Sequence, residues 1–167
     1  MRAIVDASPL IYLSKLGALE MLKQVFESVM TTESVKKEVL VPSEEYTILV
    51  KSFNNWLITK ENDNKELEQD LINSLKIHAG EASILALAIQ EKQTNQDMVV
   101  VIDDLVGREI AKTLEIPLVG TLGIILLLKK RKVITSNKAK DLLIKLITDT
   151  PFRISAKLYQ KVLDQLE

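Results

Sequence analysis

The run Met98–Ile102 is the feature that most restricts how this chain can fold. Its five residues are all apolar, so a strand built from them is apolar on both faces. Such a strand is stable only in a sheet that is covered on both sides, which is typical of parallel sheets flanked by helices. The run ends in Asp103 and Asp104. Two acidic residues therefore follow a buried strand directly.

A second strand with the same ending opens the chain. Apolar residues from Ala3 to Val5 lead into Asp6, and Ser8 and Pro9 then open an apolar helical segment. Ser8 followed by Pro9 is a good helix cap with proline at the first helical position, which leaves Asp6 free for another role. Ligands of open α/β sheets bind at the carboxyl ends of strands, so Asp6 is a candidate site residue.

Strand and helix patterns alternate along the rest of the chain. Further strands are predicted at 28–30, 56–59 and 117–119, and helices near 45–54, 80–89, 105–115, 137–147 and 155–166. Alternation of this kind predicts parallel pairing and a three-layer α/β/α sandwich. We expect one domain over 1–167, with the C-terminal helices from about 136 packed on it. The acids after the first and fourth strands would then meet at one edge of the sheet.

Composition excludes several classes of site. The 167 residues contain no cysteine and one histidine, which rules out thiolate chemistry, cysteine-ligated zinc and a histidine-rich metal centre. The net charge of −1 means that a nucleic acid would be held by a local basic patch and not by the overall field. The sequence has no apolar run long enough to span a bilayer and no secretory pattern at its start. We therefore expect a cytoplasmic protein without membrane contact.

The acidic residues suggest metal chemistry when they are considered together. Carboxylates that converge without a compensating base repel one another unless a divalent cation neutralises them, and all-oxygen ligands favour Mg²⁺ or Mn²⁺. Each acid also has a simpler interpretation. Glu81 would favour the positive end of its helix, Glu38 would be a solvated helix charge, and one of Asp103 and Asp104 would cap the next helix. Ser8 and Thr121 would either cap helices or orient a phosphate or a metal-bound water.

The order of these acids resembles that of the PIN domain, and the chain is most similar to the branch called DUF3368. The segments that carry the resemblance are Val5–Ile11, Val35–Val39, Gly80–Ala82 with Ala86–Ala88, Ile102–Asp104 with Gly107, Arg108 and Ala111, Val119–Gly123, and the tail from Phe152 to Leu163.

The resemblance implies a parallel sheet of about five strands in the order 3-2-1-4-5 and a Mg²⁺- or Mn²⁺-dependent ribonuclease. Because many members are toxins of toxin–antitoxin pairs resembling VapC, it also implies a toxin role. The implied catalytic set is Asp6, Glu38, Glu81 and Asp104 or Asp103. Of these, Asp6, Glu81 and one or both aspartates of the pair would bind the metal, with Arg108 near the RNA. An antitoxin protein and a homodimer are further implied partners.

Two departures from the family pattern bear on the site. The usual fourth motif of VapC-like chains is Thr-x-Asp, whereas this chain has Val101-Ile102-Asp103-Asp104, so either aspartate is a candidate. Glu81 stands where many PIN domains have aspartate, and its longer side chain would shift the metal.

Two other functions are compatible with the residues. One is a PIN-like binding or regulatory module that acts through a protein partner, which the near-neutral charge and the few aromatic residues favour. The other is phosphotransfer at Asp6, as in receiver-like sheets. Such sheets need a lysine late in the sheet, and Val119–Thr121 contains none. For a homodimer, we expect contacts through exposed apolar residues of the early helices: Leu13, Leu16 and Leu22.

Overall fold

A single parallel sheet forms the centre of the molecule. The computed structural model describes residues 1–94 and 97–167, and its five strands lie in the order β3-β2-β1-β4-β5. Each neighbouring pair is parallel. This order and the flanking helices confirm the predicted three-layer α/β/α sandwich. The strands are β1 Arg2–Val5, β2 Val29–Thr31, β3 Ile58–Thr59, β4 Met98–Val101 and β5 Leu118–Val119.

Helices connect successive strands and cover the sheet. Their bounds are α1 Ala7–Lys15, α2 Glu33–Val39, α3 Tyr46–Asn55, α4 Lys65–Leu75, α5 Ala79–Gln93, α6 Leu105–Thr113, α7 Thr121–Lys130, α8 Ser136–Thr148 and α9 Ala156–Leu166, with a 3₁₀ helix at Leu19–Gln24. None of the helices in the described ranges is long and apolar enough to cross a lipid bilayer.

The two strands that end in acids are neighbours at the centre of the sheet. β1 pairs with β4 over its whole length, from Arg2 opposite Met98 to Val5 opposite Val101. All four residues of β4 are buried, as the apolar run predicts. The Asp6 N–H donates to the Val101 carbonyl at 3.0 Å, which continues the pairing past the end of β1. The carboxyl ends of β1 and β4 are thereby held side by side.

The start of α1 differs from the prediction. The helix begins at Ala7, and the extended backbone of Asp6 occupies the capping position, although its side chain makes no capping hydrogen bond. Ser8 is therefore inside the first turn and does not cap the helix. Pro9 is tolerated there because N–H groups in the first turn of a helix have no partner within it. The Asp6 carboxylate makes no capping hydrogen bond, although Ser8 does not supply the cap from which this was inferred.

The expected homodimer surface on the early helices is wrong. Leu13, Leu16 and Leu22 are buried in the core, with exposed fractions of 0%, 6% and 0%. Gly17, at a φ of +65°, turns the chain sharply after α1, and this brings the 3₁₀ helix back against the body of the protein. These leucines belong to the hydrophobic core and are unavailable to a second subunit.

Candidate functional site

Acidic side chains from four elements surround the carboxyl ends of β1 and β4. Asp6 follows β1 and is buried, Glu81 lies in the first turn of α5, and Asp103 and Asp104 follow β4. Glu38 lies on α2 with an exposed side chain. This is the switch point of the sheet, since the chain leaves β1 toward β2 on one side and β4 toward β5 on the other.

The two carboxylate oxygens of Glu81 differ, since one stabilises the helix start and the other has no hydrogen-bond partner among the described residues. Its Oε2 accepts a hydrogen bond from the His78 N–H at 3.3 Å, which supports the helix start as the simpler interpretation predicted. Its Oε1 is buried and has no hydrogen-bond partner among the described residues. A methyl group on Gly107 would lie 3.1 Å from that oxygen, so the glycine leaves space beside it. A buried acceptor without a donor is costly, and a cation would satisfy it.

Glu38 is brought to the same place by contacts between α2 and α5. The hydroxyls of Thr32 and Ser83 lie 2.6 Å apart and join the start of α2 to the first turn of α5. A Cβ on Gly80 would be only 2.6 Å from Glu38 Oε2, so the carboxylate lies directly against the start of α5. The Glu38 charge also acts to raise the pKa of Asp6. Glu38 is thus part of the acidic group, although it is solvent-exposed.

The adjacent aspartates have different partners. Asp104 caps α6, because its Oδ1 accepts from the Val106 N–H at 2.8 Å and the Gly107 N–H at 3.0 Å. The prediction that one of the two acids caps the next helix is confirmed. Asp103 instead accepts from the Thr121 N–H at 2.8 Å and the Thr121 hydroxyl at 2.6 Å, at the start of α7.

Asp103 is further enclosed on the side of Gly120. A Cβ on Gly120 would lie 2.8 Å from Asp103 Oδ1 and 3.0 Å from Arg108 Nη1, so the absence of a side chain at Gly120 allows this close approach. Arg108 Nη1 also donates to the Ile102 carbonyl at 2.9 Å. The Thr121 hydroxyl is engaged with Asp103, and Ser8 is half-buried in the first turn of α1. Asp103 therefore joins β4 to α7, whereas Asp104 faces α5.

Burial raises the pKa of several of these carboxyls. It is the main reason that the pKa of Asp6 rises to about 7, with further increases from Glu38, Asp103 and Asp104. Burial and then Asp104 raise the pKa of Glu81 to about 7. Burial also raises the pKa of Asp103, against the opposing effect of Thr121 and Arg108.

Asp104 shifts in the opposite direction. Burial acts to raise its pKa, but the Gly107 N–H, the Glu81 side chain and the Val106 N–H together hold it below the ordinary value. Asp104 acts to raise the pKa of Glu81 and Glu81 acts to lower that of Asp104, so the two carboxyls influence each other directly. A divalent cation beside them would favour the ionised form of both.

The donors suit a hard divalent cation, although they do not enclose one. In the described ranges, no group of three or more histidine, cysteine, aspartate and glutamate side chains has converged into a ligand set. The donors are nevertheless all carboxylate oxygens, burial raises the pKa of two of them to about 7, and Glu81 Oε1 has no partner among the described residues. These properties fit Mg²⁺ or Mn²⁺.

A groove beside the acids contains residues that the sequence did not single out. Arg108 lines it together with Phe152, Arg153 and Lys161. Phe152 and Arg153 belong to the tail segment that resembles the family, but no periodicity or motif gave them a role. Their position depends on how α8 and α9 pack on α7 and on each other, which local sequence does not encode.

Comparisons with known proteins agree with the fold. The family model described as DUF3368, PIN domain, matches residues 2–167. No curated protein matches the chain.

Proposed function

The chain belongs to the PIN domain family, and on that premise we propose that it is a metal-dependent endoribonuclease, the toxin of a toxin–antitoxin pair. PIN domains are generally nucleases that use divalent metal ions. The observation that carries the proposal is the buried, unpaired Glu81 Oε1 beside Asp104 and Asp6 at the switch point. Family membership further supports a protein antitoxin and a homodimer as partners.

Asp6, Glu81 and Asp104 would hold the cation. Both oxygens of Asp103 are engaged by Thr121, whereas Asp104 uses only Oδ1 for its capping bonds and adjoins Glu81. Glu38, which is exposed, would hold or orient a water molecule at the edge of the group. A bound Mg²⁺ or Mn²⁺ supplies activation of that water and neutralises charge on the phosphodiester.

The remaining residues of the site fix these groups in place. Pairing of β1 with β4 sets the position of Asp6, and the capping bonds of Asp104 prevent its side chain from rotating away. Asp103 and Thr121 anchor α7 to the end of β4, and Arg108 lies between this anchor and the groove. Preorganisation of this kind lowers the cost of aligning water and phosphate.

The first test is cleavage of a mixed panel of structured RNAs and single-stranded DNA in Mn²⁺, Mg²⁺ or EDTA. We expect RNA cleavage with either cation and none in EDTA. Asp141→Asn, which changes an exposed acid on α8, is the matched control and should cleave like the wild type. Absence of cleavage by folded, cation-loaded protein would contradict the proposal and favour a binding module that acts through a protein partner.

The second test separates the two adjacent aspartates. Asp104→Asn should lower the cleavage rate by at least about 100-fold, because a metal ligand contributes several kcal/mol to the transition state. Asp103→Asn should cost about 10-fold or less, since asparagine still accepts the Thr121 N–H and only weakens the anchor of α7. Cleavage rates and thermal unfolding would be measured for both variants. A larger loss of cleavage for well-folded Asp103→Asn would assign the metal to Asp103 instead.

A further inference from the structure

A groove of about 530 Å³ opens beside the acidic group. Its lining includes Asp103 and Arg108, Gly120 and Gly123 at the start of α7, and residues of α9. Because Asp103 lines the groove and directly precedes Asp104, the groove adjoins the acidic group. A chain bound along it would lead directly to the site proposed above.

The charge of this groove is opposite to that of the site. Three cationic side chains line it, Arg108, Arg153 and Lys161, against one acid, Asp103, which Thr121 already engages. The protein as a whole carries a net charge of −1, so the cations form a local basic surface. A polyanion with one phosphate at the cation site would place its next phosphates on this surface.

An aromatic pair stands at the same place. The rings of Tyr12 and Phe152 meet edge to face, with centroids 5.9 Å apart and planes at 90°. Phe152 lines the groove and is half-buried. Burial is the main cause that raises the pKa of Tyr12, with a smaller increase from Asp103 and a decrease from Arg153, so the pair lies near an acid of the site and a cation of the groove.

The loop that carries Phe152 is held in one conformation. The Thr150 hydroxyl donates to the Leu146 carbonyl at 2.5 Å and accepts the Phe152 N–H at 3.1 Å, so the loop is tied to the end of α8. Arg153 Nη1 donates to the Phe152 carbonyl at 3.0 Å. A ring held this way loses little entropy when a base stacks on it, which is the usual design of single-strand binding sites.

We propose that this groove binds single-stranded RNA next to the scissile phosphate, with a base against Phe152 and backbone phosphates at Arg153 and Lys161. This inference rests on the proposed nuclease function. The combination of basic side chains with a fixed aromatic ring beside the acids is what favours RNA over a peptide as the occupant.

The test is the binding of a fluorescein-labelled oligouridylate, measured by fluorescence anisotropy in EDTA so that no cleavage occurs. Phe152→Ala should weaken binding by roughly 10-fold or more without changing its salt dependence, because stacking involves no counterions. Lys161→Ala should weaken binding and lower the slope of log K against log salt by about 0.7. Lys138→Ala removes an exposed lysine of α8 that does not line the groove, and it should behave like the wild type.

Two further variants distinguish stacking from structural support. Phe152→Leu keeps an apolar side chain in the loop and should bind RNA nearly as weakly as Phe152→Ala, whereas Phe152→Tyr keeps the ring and should restore binding. Equal binding by Phe152→Leu and wild type would overturn the proposal. So would an unchanged salt slope in Lys161→Ala, or no binding of the oligouridylate by wild type.

The outcomes for groove and nuclease are separable. Groove variants that bind and cleave RNA like the wild type would contradict the proposal that the groove binds RNA, and they would not affect the proposed nuclease function. Ring- and lysine-dependent RNA binding by a protein that does not cleave would support the groove and contradict the nuclease.

Discussion

Asp6→Asn will abolish RNA cleavage and, at about pH 8, will make the metal-free protein more stable than the wild type by about 2–4 kcal/mol. The loss of activity follows because asparagine cannot supply the anionic oxygen that a divalent cation requires. The gain in stability follows because the Asp6 carboxylate is buried beside other acids and has no basic partner among the described residues. Asparagine has a similar shape and carries no charge.

The stability difference should depend on pH in a definite direction. The pKa of Asp6 is raised from 3.8 to about 7 on folding, so the folded state holds this proton more tightly than the unfolded chain does. The free energy of unfolding of the wild type therefore falls as pH rises from about 4 to about 7. The advantage of Asp6→Asn should be absent below about pH 4, grow through that interval and level off above about pH 7.

Chemical denaturation in EDTA at a series of pH values measures this difference, and gel assays in Mn²⁺ measure cleavage. Asp141→Asn is again the control. Because Asp141 is exposed, its substitution should change the free energy of unfolding by no more than about 0.5 kcal/mol and should leave the cleavage rate unchanged. A variant that cleaves RNA would remove Asp6 from the site. A variant less stable than the wild type at every pH would show that the Asp6 carboxylate stabilises the fold.

The sheet was predictable because it depends on patterns within short segments. The apolar run of β4 requires cover on both faces, and acids that follow β1 and β4 end up together once those strands are parallel neighbours. The resemblance supplied the strand order, which the structure confirms. Alternation of strands and helices alone does not decide which strands are neighbours.

Details that depend on contacts between distant segments were not predictable. Ser8 and Pro9 form a good local cap signal, but the hydrogen bond from Asp6 to Val101 extends the strand pairing, and the helix then begins at Ala7. Leu13 and Leu22 lie in two successive helical segments, and the apolar spacing of a segment does not reveal whether its apolar face is buried in the core or exposed. In the structure both are completely buried in the core.

The division of roles between Asp103 and Asp104 also required the structure. Both residues have the same local sequence context, and only the arrival of Thr121 from the next strand–helix turn identifies Asp103 as the anchor of α7. The groove is a similar case, because Tyr12 and Phe152 are far apart in the chain and meet only when α8 and α9 have packed on α7. Neither residue lies in a motif with a chemical meaning of its own.

Mn²⁺ should stabilise the folded protein strongly at about pH 8 and only weakly at about pH 6. At a free concentration about 100 times the dissociation constant, a ligand of the folded state alone adds about 2.7 kcal/mol to the free energy of unfolding. Burial raises the pKa of both Asp6 and Glu81 to about 7, so both carboxyls must lose a proton before they bind a cation. Two such groups lower the apparent affinity roughly 100-fold between about pH 8 and about pH 6.

Titration calorimetry in buffers of different ionisation enthalpy measures both the affinity and the number of protons released. We expect almost two protons to be released at about pH 6 and few at about pH 8. Glu81→Gln removes one titrating ligand, so its weaker Mn²⁺ binding should retain only roughly 10-fold pH dependence, with about one proton released. Asp141→Asn should match the wild type. An affinity independent of pH would mean that the cation binds away from the buried acids, and the proposed ligand set would then be wrong.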